Sequence, residues 1–217
     1  MLRHVLPFAL LAATGTVAQA QFDFRRASRP TAYTSLSIGL LDVGSIADER
    51  SGSDWIFGQG VEWRFTLDYA IQNQSGVGVT VVYATAPLDY IPPSSGNATC
   101  PFGCEATAEI WSVMGGFHAG GGQGVHQVLE IDAGATHFGR FRTDDGDQEI
   151  DVGDQRWDLS VSIGYGLGIG LSDRLSITLV QDYGLIFHSD RSSGSESRYA
   201  QKRTTRLGVR YGMGQKR

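Results

Sequence analysis

The fifteen residues Trp157–Leu171, WDLSVSIGYGLGIGL, alternate strictly between large apolar side chains and small or polar ones. The apolar positions include Ile163 and Tyr165, whereas the positions between them hold mostly Ser and Gly. A period of two is typical of a β-strand whose two faces meet different surroundings. At about 3.3 Å per residue and a tilt of about 45°, the segment rises about 35 Å, enough to cross a hydrocarbon core of about 30 Å. We therefore predict a membrane-spanning strand with its apolar face toward lipid.

The second face of this strand distinguishes between two kinds of barrel. A soluble barrel would turn its apolar face inward, and its outer face would then need charged or bulky polar residues. Here that face is mostly Gly and Ser, which suits the crowded lumen of a narrow barrel. A soluble periplasmic barrel that binds an apolar ligand inside is kept as an alternative.

The N-terminus has the pattern of a secretory signal peptide. A basic start at Arg3 precedes the apolar run Val5–Ala13 and the small-x-small motif Ala18-Gln19-Ala20. We predict a signal peptide over residues 1–20, a periplasmic lead over 21–30 and one barrel domain over 31–217. The net charge of −5, without a basic stripe, argues against a nucleic-acid partner.

Seven further segments show alternation and predict an all-β fold, an eight-stranded antiparallel up-and-down transmembrane barrel. They are Thr31–Val43, Val61–Ile71, Val77–Tyr83, Ala106–Ala119, Val125–Phe138, Leu175–Phe187 and Thr204–Met213. The connections after the second, fourth and sixth strands are short turns. The others are long and polar: Gly44–Gly60, Ala86–Glu105, Gly139–Arg156 and His188–Arg203. Short turns at one end and long external loops at the other are typical of outer-membrane barrels.

In this architecture the mature chain resembles the small eight-stranded outer-membrane barrels typified by the OmpA transmembrane domain, OmpX and OmpW. The resemblance implies a monomer in the bacterial outer membrane, surrounded by membrane lipid and lipopolysaccharide and inserted by the barrel-assembly machinery. It also implies a structural or surface-interaction role without a cofactor. These barrels usually end in an aromatic residue that the assembly machinery recognises, whereas this chain ends Tyr211-Gly-Met-Gly-Gln-Lys-Arg217. Either Tyr211 replaces that signal or the last residues form a periplasmic tail.

Charged residues occupy the face of several strands that we expect to line the lumen. They are Glu62, Arg64, Asp68, Glu130, Asp132, Asp158, Asp182, Arg206 and Arg210. The interior of an eight-stranded barrel is just filled by side chains, and unpaired buried charges are very costly. We therefore predict a plug of salt bridges, with a proton or ion path as the alternative.

The two cysteines lie in the motif Cys100-Pro-Phe-Gly-Cys104. Export leads to an oxidising compartment, which favours a disulfide within this small loop. A metal site is the weaker hypothesis, because two thiols without an adjacent His are half a ligand set.

Three other groups suggest metal binding or catalysis. The third long loop carries Asp144, Asp145, Asp147, Glu149, Asp151 and Asp154. Their spacing does not fit an EF-hand, and a solvated acidic loop is the commoner explanation. His118 and His126 flank the AGGGQG turn and are a weak metal signal.

His188, Ser189 and Glu196 suggest a rim enzyme acting on envelope lipids, like the barrels that deacylate lipid A. Adjacent residues of a strand point to opposite faces, so His188 and Ser189 cannot form a dyad directly. The same loop carries Arg191, Arg198, Lys202 and Arg203, which suit contact with lipopolysaccharide phosphates. We predict a protein without catalytic residues, with the rim enzyme as the alternative.

Overall fold

A computed structural model describes residues 30–48, 51–72, 74–144, 148–152, 157–188 and 199–214. Within these ranges the chain forms eleven β-strands, and no helix is long and apolar enough to cross a membrane. In chain order the strands are β1 Ala32–Val43, β2 Ile46–Asp48, β3 Ser53–Phe57, β4 Gly60–Gln72, β5 Ser75–Ile91, β6 Cys104–Ala119, β7 Gly124–Thr143, β8 Glu149–Ile150, β9 Trp157–Gly170, β10 Leu175–Phe187 and β11 Ala200–Met213. The predicted signal peptide and residues 21–29 of the predicted lead lie outside the described residues.

Eight of the strands close into an antiparallel barrel in the order β1, β4, β5, β6, β7, β9, β10 and β11. Pairing of β11 with β1 completes the ring, as the alternation in the sequence predicts. The short connections after β4, β6 and β9 lie at one end, which we call the turn end. The connections that contain β2, β3 and β8 lie at the other, the loop end; β2 and β3 extend the sheet beside β5, and β8 pairs with β7.

The orientation predicted for β9 is confirmed. Ile163 and Tyr165 are 51% and 56% exposed on the outside of the barrel, whereas Asp158 is buried on the inside. Gly166 is required by close packing, because a Cβ at this position would collide with the backbone carbonyl oxygen of Leu179 on the neighbouring strand. An apolar outside and a polar inside contradict the alternative of a soluble barrel with an apolar ligand cavity.

A row of aromatic rings crosses five neighbouring strands on the outer surface. Register places Trp63 beside Tyr83, Tyr83 beside Trp111, Trp111 beside His137, and His137 beside Trp157. The ring centroids of Tyr83 and Trp111 are 4.6 Å apart, and those of His137 and Trp157 are 5.3 Å apart. Aromatic girdles of this kind lie at membrane–water interfaces. This aromatic row therefore marks the boundary of the lipid-facing belt toward the loop end.

Beyond the aromatic row the two faces of the strands exchange polarity. Along β5 the inward residues change from Thr80 to Leu88 and Tyr90, while the outward residues change from Val79 to Asp89. The inward apolar residues form one cluster inside the loop end, the cap core. Its members are Leu41, Val43, Ile46, Trp55, Phe57, Ala84, Ala86, Leu88, Tyr90, Cys100, Ala106, Ala108, Ile110, Phe138, Phe141, Ile150, Val152, Ile186 and Ala200.

The long loops are therefore shorter than predicted, because several strands extend into the segments assigned to them. β5 continues to Ile91, β6 begins at Cys104, β7 continues to Thr143 and β11 begins at Ala200, while β2 and β3 occupy part of the first loop. The expectation was wrong because it required apolar residues on the outer face of every strand. Where a strand leaves lipid, water surrounds its outer face, so burial of apolar area requires the opposite polarity.

Candidate functional site

All nine predicted lumen residues point into the barrel. Glu130 is half-buried, and the others are buried: Glu62, Arg64, Asp68, Asp132, Asp158, Asp182, Arg206 and Arg210. They lie on the face opposite the lipid-facing residues, because side chains of a strand alternate between its two faces. The structure brings eight of the nine into one connected network of charges and places Asp158 apart from it.

Arg64 on β4 lies at the centre of this network. Its Nε is 3.3 Å from Oε1 of Glu62, and its Nη1 is 3.5 Å from Oδ1 of Asp182. The same Nη1 is 3.6 Å from carboxylate oxygens of both Glu130 and Asp132. One guanidinium thus faces four carboxylates from β4, β7 and β10. Further cations must be present, because a buried carboxylate without a counter-charge is strongly destabilising.

Two residues of β11 supply such cations. Nε of Arg206 is 2.6 Å from Oδ2 of Asp182, and its Nη2 donates to Glu130. Nζ of Lys202 is 2.7 Å from Oε2 of Glu62. Lys202 was not predicted as a lumen residue, because its position was expected to lie in a loop. The available signal was its even spacing from Arg206, which puts both on one face of a strand.

His118 on β6 joins the network toward the turn end. Its Nδ1 is 2.6 Å from Oδ1 of Asp68, and its Nε2 is 2.9 Å from Oδ1 of Asp132. A ring held between two carboxylates satisfies both of them only when both nitrogens carry a proton. Arg210 adds a second cation near Asp68, with Nη2 3.5 Å from Oδ2 and its guanidinium 4.2 Å from the ring centroid of Tyr33.

The charge count supports a protonated His118. Among the described residues the network holds five carboxylates and four permanent cations. The carboxylates are Glu62, Asp68, Glu130, Asp132 and Asp182; the cations are Arg64, Lys202, Arg206 and Arg210. An imidazolium at His118 makes the network neutral, and neutrality is favoured because net charge is costly to hold away from water.

His118, Glu130 and Asp132 also place three possible metal ligands within 4.8 Å of one another. Both nitrogens of His118 already engage carboxylates, however, and Glu130 accepts from Arg206. A metal ion would have to displace these ion pairs, so the geometry suits salt bridges better than coordination. His126 does not share this cluster; its Nδ1 is 3.2 Å from the carbonyl oxygen of Gly124.

Asp158 belongs to a second, smaller group at the loop end. Nδ1 of His188 is 2.6 Å from Oδ2 of Asp158, and Nε2 is 3.2 Å from Oδ1 of Asp48. Burial lowers the pKa of His188, but hydrogen bonds to Asp158 and Asp48 outweigh this effect and raise the pKa to about 9. His188 is therefore a cation at neutral pH and connects β2, β9 and the end of β10. Its ring also packs against Trp55, with centroids 5.5 Å apart.

The arrangement around His188 offers little support for the rim enzyme suggested by the sequence. Ser189 and Glu196 lie outside the described residues. The two ring nitrogens of His188 are both engaged by carboxylates, and the nearby Oγ of Ser51 donates to Asp48 at 2.6 Å. Among the described residues no serine hydroxyl bonds to the imidazole.

The predicted disulfide is present between Cys100 and Cys104. In the acidic third loop Asp144 accepts a hydrogen bond from Thr107 at 3.0 Å. The backbone carbonyls of Glu149 and Asp151 accept hydrogen bonds from Thr99 Oγ1 at 3.4 Å and from Asn97 Nδ2 at 2.9 Å, next to the disulfide loop. Asp145, Asp147 and Asp154 lie outside the described residues, and so do Arg191 and Arg198 of the fourth loop.

Three solved structures are similar to this chain. The Neisserial surface protein A matches 84% of this chain over 97% of its own length, with a TM-score of 0.50 and 12% sequence identity. The outer-membrane protein OprG of Pseudomonas aeruginosa matches 85% of this chain over 97% of its own (TM-score 0.44, 11% identity), and the Ail protein of Yersinia pestis 83% over 97% (TM-score 0.40, 17% identity).

No protein-family model matches the chain, and no curated protein matches it significantly in sequence. Together with the closed barrel and its apolar belt, the first of these structural matches confirms the architecture of a small eight-stranded barrel of the bacterial outer membrane.

Proposed function

We propose that this protein is a non-enzymatic surface protein of the outer membrane, with a closed lumen and an interaction surface at its loop end. The observation that carries the proposal is the ion-paired and apolar interior of the barrel. A balanced charge network centred on Arg64 occupies the lipid-embedded part, and the cap core occupies the part beyond the aromatic row.

The charge network supports a plug because each of its parts depends on the others. Arg64 and Arg206 share Asp182 and Glu130, so opening a water-filled path between them would separate ion pairs across the lumen. An ion entering this region would have to break those pairs before it gained any of its own. The cap core adds a second barrier, because an apolar constriction is unfavourable for hydrated ions.

The loop end supports a surface role because it is built as a folded cap. Its strands extend beyond the aromatic row and enclose a core of their own, so its outer side chains have fixed positions. Side chains that are already held in place lose less conformational entropy when a partner binds them. In this proposal the barrel is a monomer contacted by membrane lipid and lipopolysaccharide and inserted by the assembly machinery.

The test is conductance of the purified, refolded protein in planar bilayers. We expect no large, steady conductance from the unmodified protein at neutral pH. As a positive control, the double variant Arg64→Ser with Arg206→Ser removes the shared cations and should give leak currents if it inserts. Stable open channels in the unmodified protein would overturn the closed-lumen proposal.

A parallel assay addresses the rim-enzyme alternative. Vesicles that contain lipid A are incubated with the refolded barrel, and the lipid is examined by mass spectrometry. We expect unchanged acylation, and a product that disappears with His188→Gln would instead establish the enzyme.

A further inference from the structure

On the described part of the cap, the polar outer surface is broken by the apolar side chains of Ile56, Ile91 and Phe102. On β5, β6 and β7 beyond the aromatic row the outward positions hold residues such as Asp89, Glu105 and Arg142. Ile56 and Ile91 are nevertheless each 45% exposed, and Phe102 is 98% exposed. These three lie outside the lipid-facing belt, so membrane lipid does not account for them.

Register brings the two isoleucines together and sets carboxylates beside them. The loop that carries Phe102 lies at the same strand edge, because Cys104 pairs with Tyr90 and a Cβ added at Gly103 would lie 3.1 Å from the carbonyl oxygen of Tyr90, the residue before Ile91. Ile56 pairs with Asp89, and Asp54 pairs with Ile91, so the two isoleucines are diagonal neighbours on one face. Glu105 lies on the other side of Asp89. We call Ile56, Ile91 and Phe102, with Asp54, Asp89 and Glu105 around them, the cap patch.

Phe102 projects from a loop that is fixed from several sides. The disulfide closes the loop, and Cys100 is buried in the cap core. Oδ1 of Asn97 accepts from the backbone N–H groups of Thr99 and Cys100 at 2.9 and 3.2 Å, and its Nδ2 donates to the carbonyl of Asp151 at 2.9 Å. Gly103 has a φ of +94°, which favours glycine and lets the chain turn tightly after Phe102.

A rigid loop that exposes a whole phenyl ring to water is unfavourable for a surface without a partner. Aromatic side chains held in place are the usual anchors of protein interfaces, because little conformational freedom is lost when they are buried. Fixing the ring by a disulfide and a buried cysteine therefore suits an anchor that inserts into a pocket of another protein.

The carboxylates decide which kind of partner fits. In the described part of the sheet, Asp54 is opposite Ala47 and Ile91. Asp89 is opposite Ile56 on one side and Glu105 on the other. No described cation is directly opposite any of them. Arg142 is a diagonal neighbour of Glu105, but it is directly opposite another carboxylate, Glu149, so the surface keeps an excess of negative charge. An acidic surface, such as an anionic lipid or a sulfated glycan, would be repelled, whereas Lys or Arg would be attracted.

We propose that the cap patch binds a basic segment of a partner protein, one whose apolar side chains are flanked by Lys or Arg. This inference rests on the proposed surface role and names its partner class. Phe102 is the anchor, the two isoleucines extend the apolar contact, and the carboxylates pair with the flanking cations.

The experiment selects a random twelve-residue peptide library on the full protein in nanodiscs of zwitterionic lipid, with empty nanodiscs for subtraction. We expect the enriched peptides to carry an aromatic or aliphatic residue between basic ones. Phe102→Ala should weaken binding of an enriched peptide at least about tenfold. Asp89→Asn with Glu105→Gln should weaken it and reduce its dependence on salt concentration.

Matched controls come from the turn end, where Leu171 and Asp173 are exposed. Leu171→Ala and Asp173→Asn should leave the affinity unchanged. Failure to enrich any peptide, enrichment of peptides without basic residues, or equal binding to Phe102→Ala would each overturn the cap patch. Binding of a sulfated glycan in place of basic peptides would also overturn it. Channel activity would overturn only the closed lumen, so the two proposals fail separately.

Discussion

Replacing Arg206 with Met should reduce the free energy of unfolding by about 3–5 kcal/mol, the usual cost of removing one partner from a buried ion pair. Met preserves much of the volume of the arginine stem, so the loss reports on charge more than on packing. Without Arg206, the cation that Asp182 and Glu130 keep among the described residues is Arg64, at 3.5 and 3.6 Å. A hydrogen bond to a charged group contributes about 1.5–3 kcal/mol. The two shortest bonds that Arg206 donates, to Asp182 and to Glu130, therefore give about 3–6 kcal/mol together, which overlaps the first range.

The assay is equilibrium unfolding in urea of the barrel in lipid vesicles, followed by tryptophan fluorescence from the aromatic row. The double variant Arg206→Met with Asp182→Asn removes one orphaned carboxylate. Its loss should therefore fall short of the sum of the single variants by about 0.5–3 kcal/mol. Arg203→Met is the matched control, because Arg203 faces outward on the same strand with its guanidinium 5.3 Å from the ring centroid of Tyr183.

The control should lose no more than about 1 kcal/mol. Two results would refute a charge network that depends on buried pairing. One is a loss of unfolding free energy below about 1 kcal/mol for Arg206→Met, and the other is a loss in the double variant equal to the sum of the single variants.

Three further outcomes are expected. Ile163→Arg should cost about 2–4 kcal/mol because its side chain faces lipid, whereas Ser162→Ala should be nearly neutral in the same urea assay, since the buried Oγ has no partner in the described structure; equal effects would contradict the orientation. The pKa of His188 rises from 6.5 to about 9 on folding, so its stabilisation is complete below pH 6.5 and is lost as pH rises toward 9. The urea midpoint should fall between pH 7 and pH 9.5, and His188→Gln should reduce this dependence, with the remainder left to the imidazolium of His118 between Asp68 and Asp132; the same slope in the variant would exclude His188 as a source. Cys100 and Cys104 should resist alkylation until reduced, as measured by mass spectrometry, and reduction should shift the barrel's midpoint little because the bond closes only a short loop; two labelled thiols before reduction would disprove the bridge.

The sequence by itself determined the barrel, its strand order and the orientation of its lipid-embedded strands. Period-two alternation with one apolar face can be read from each segment alone, without knowing which strands pair. In lipid such strands must form a closed barrel, because every backbone polar group has to pair with a neighbouring strand. For the same reason Glu62, Arg64 and Arg206 were placed in the lumen from spacing alone. The small residues of β9 also indicated a crowded interior before any contact was known.

Only the tertiary structure decided which charges meet and where the strands end. Lys202 and His118 joined the network because barrel closure and register place them next to, or one strand away from, carboxylates on other strands, a relation that spacing along one strand does not encode. Asp158 pairs with His188 and not with an arginine, since the lumen beyond the charge network is apolar. The strand segments at the loop end were missed because water, and not lipid, surrounds them. Their outer faces are therefore polar, the opposite of the pattern used to predict the strands.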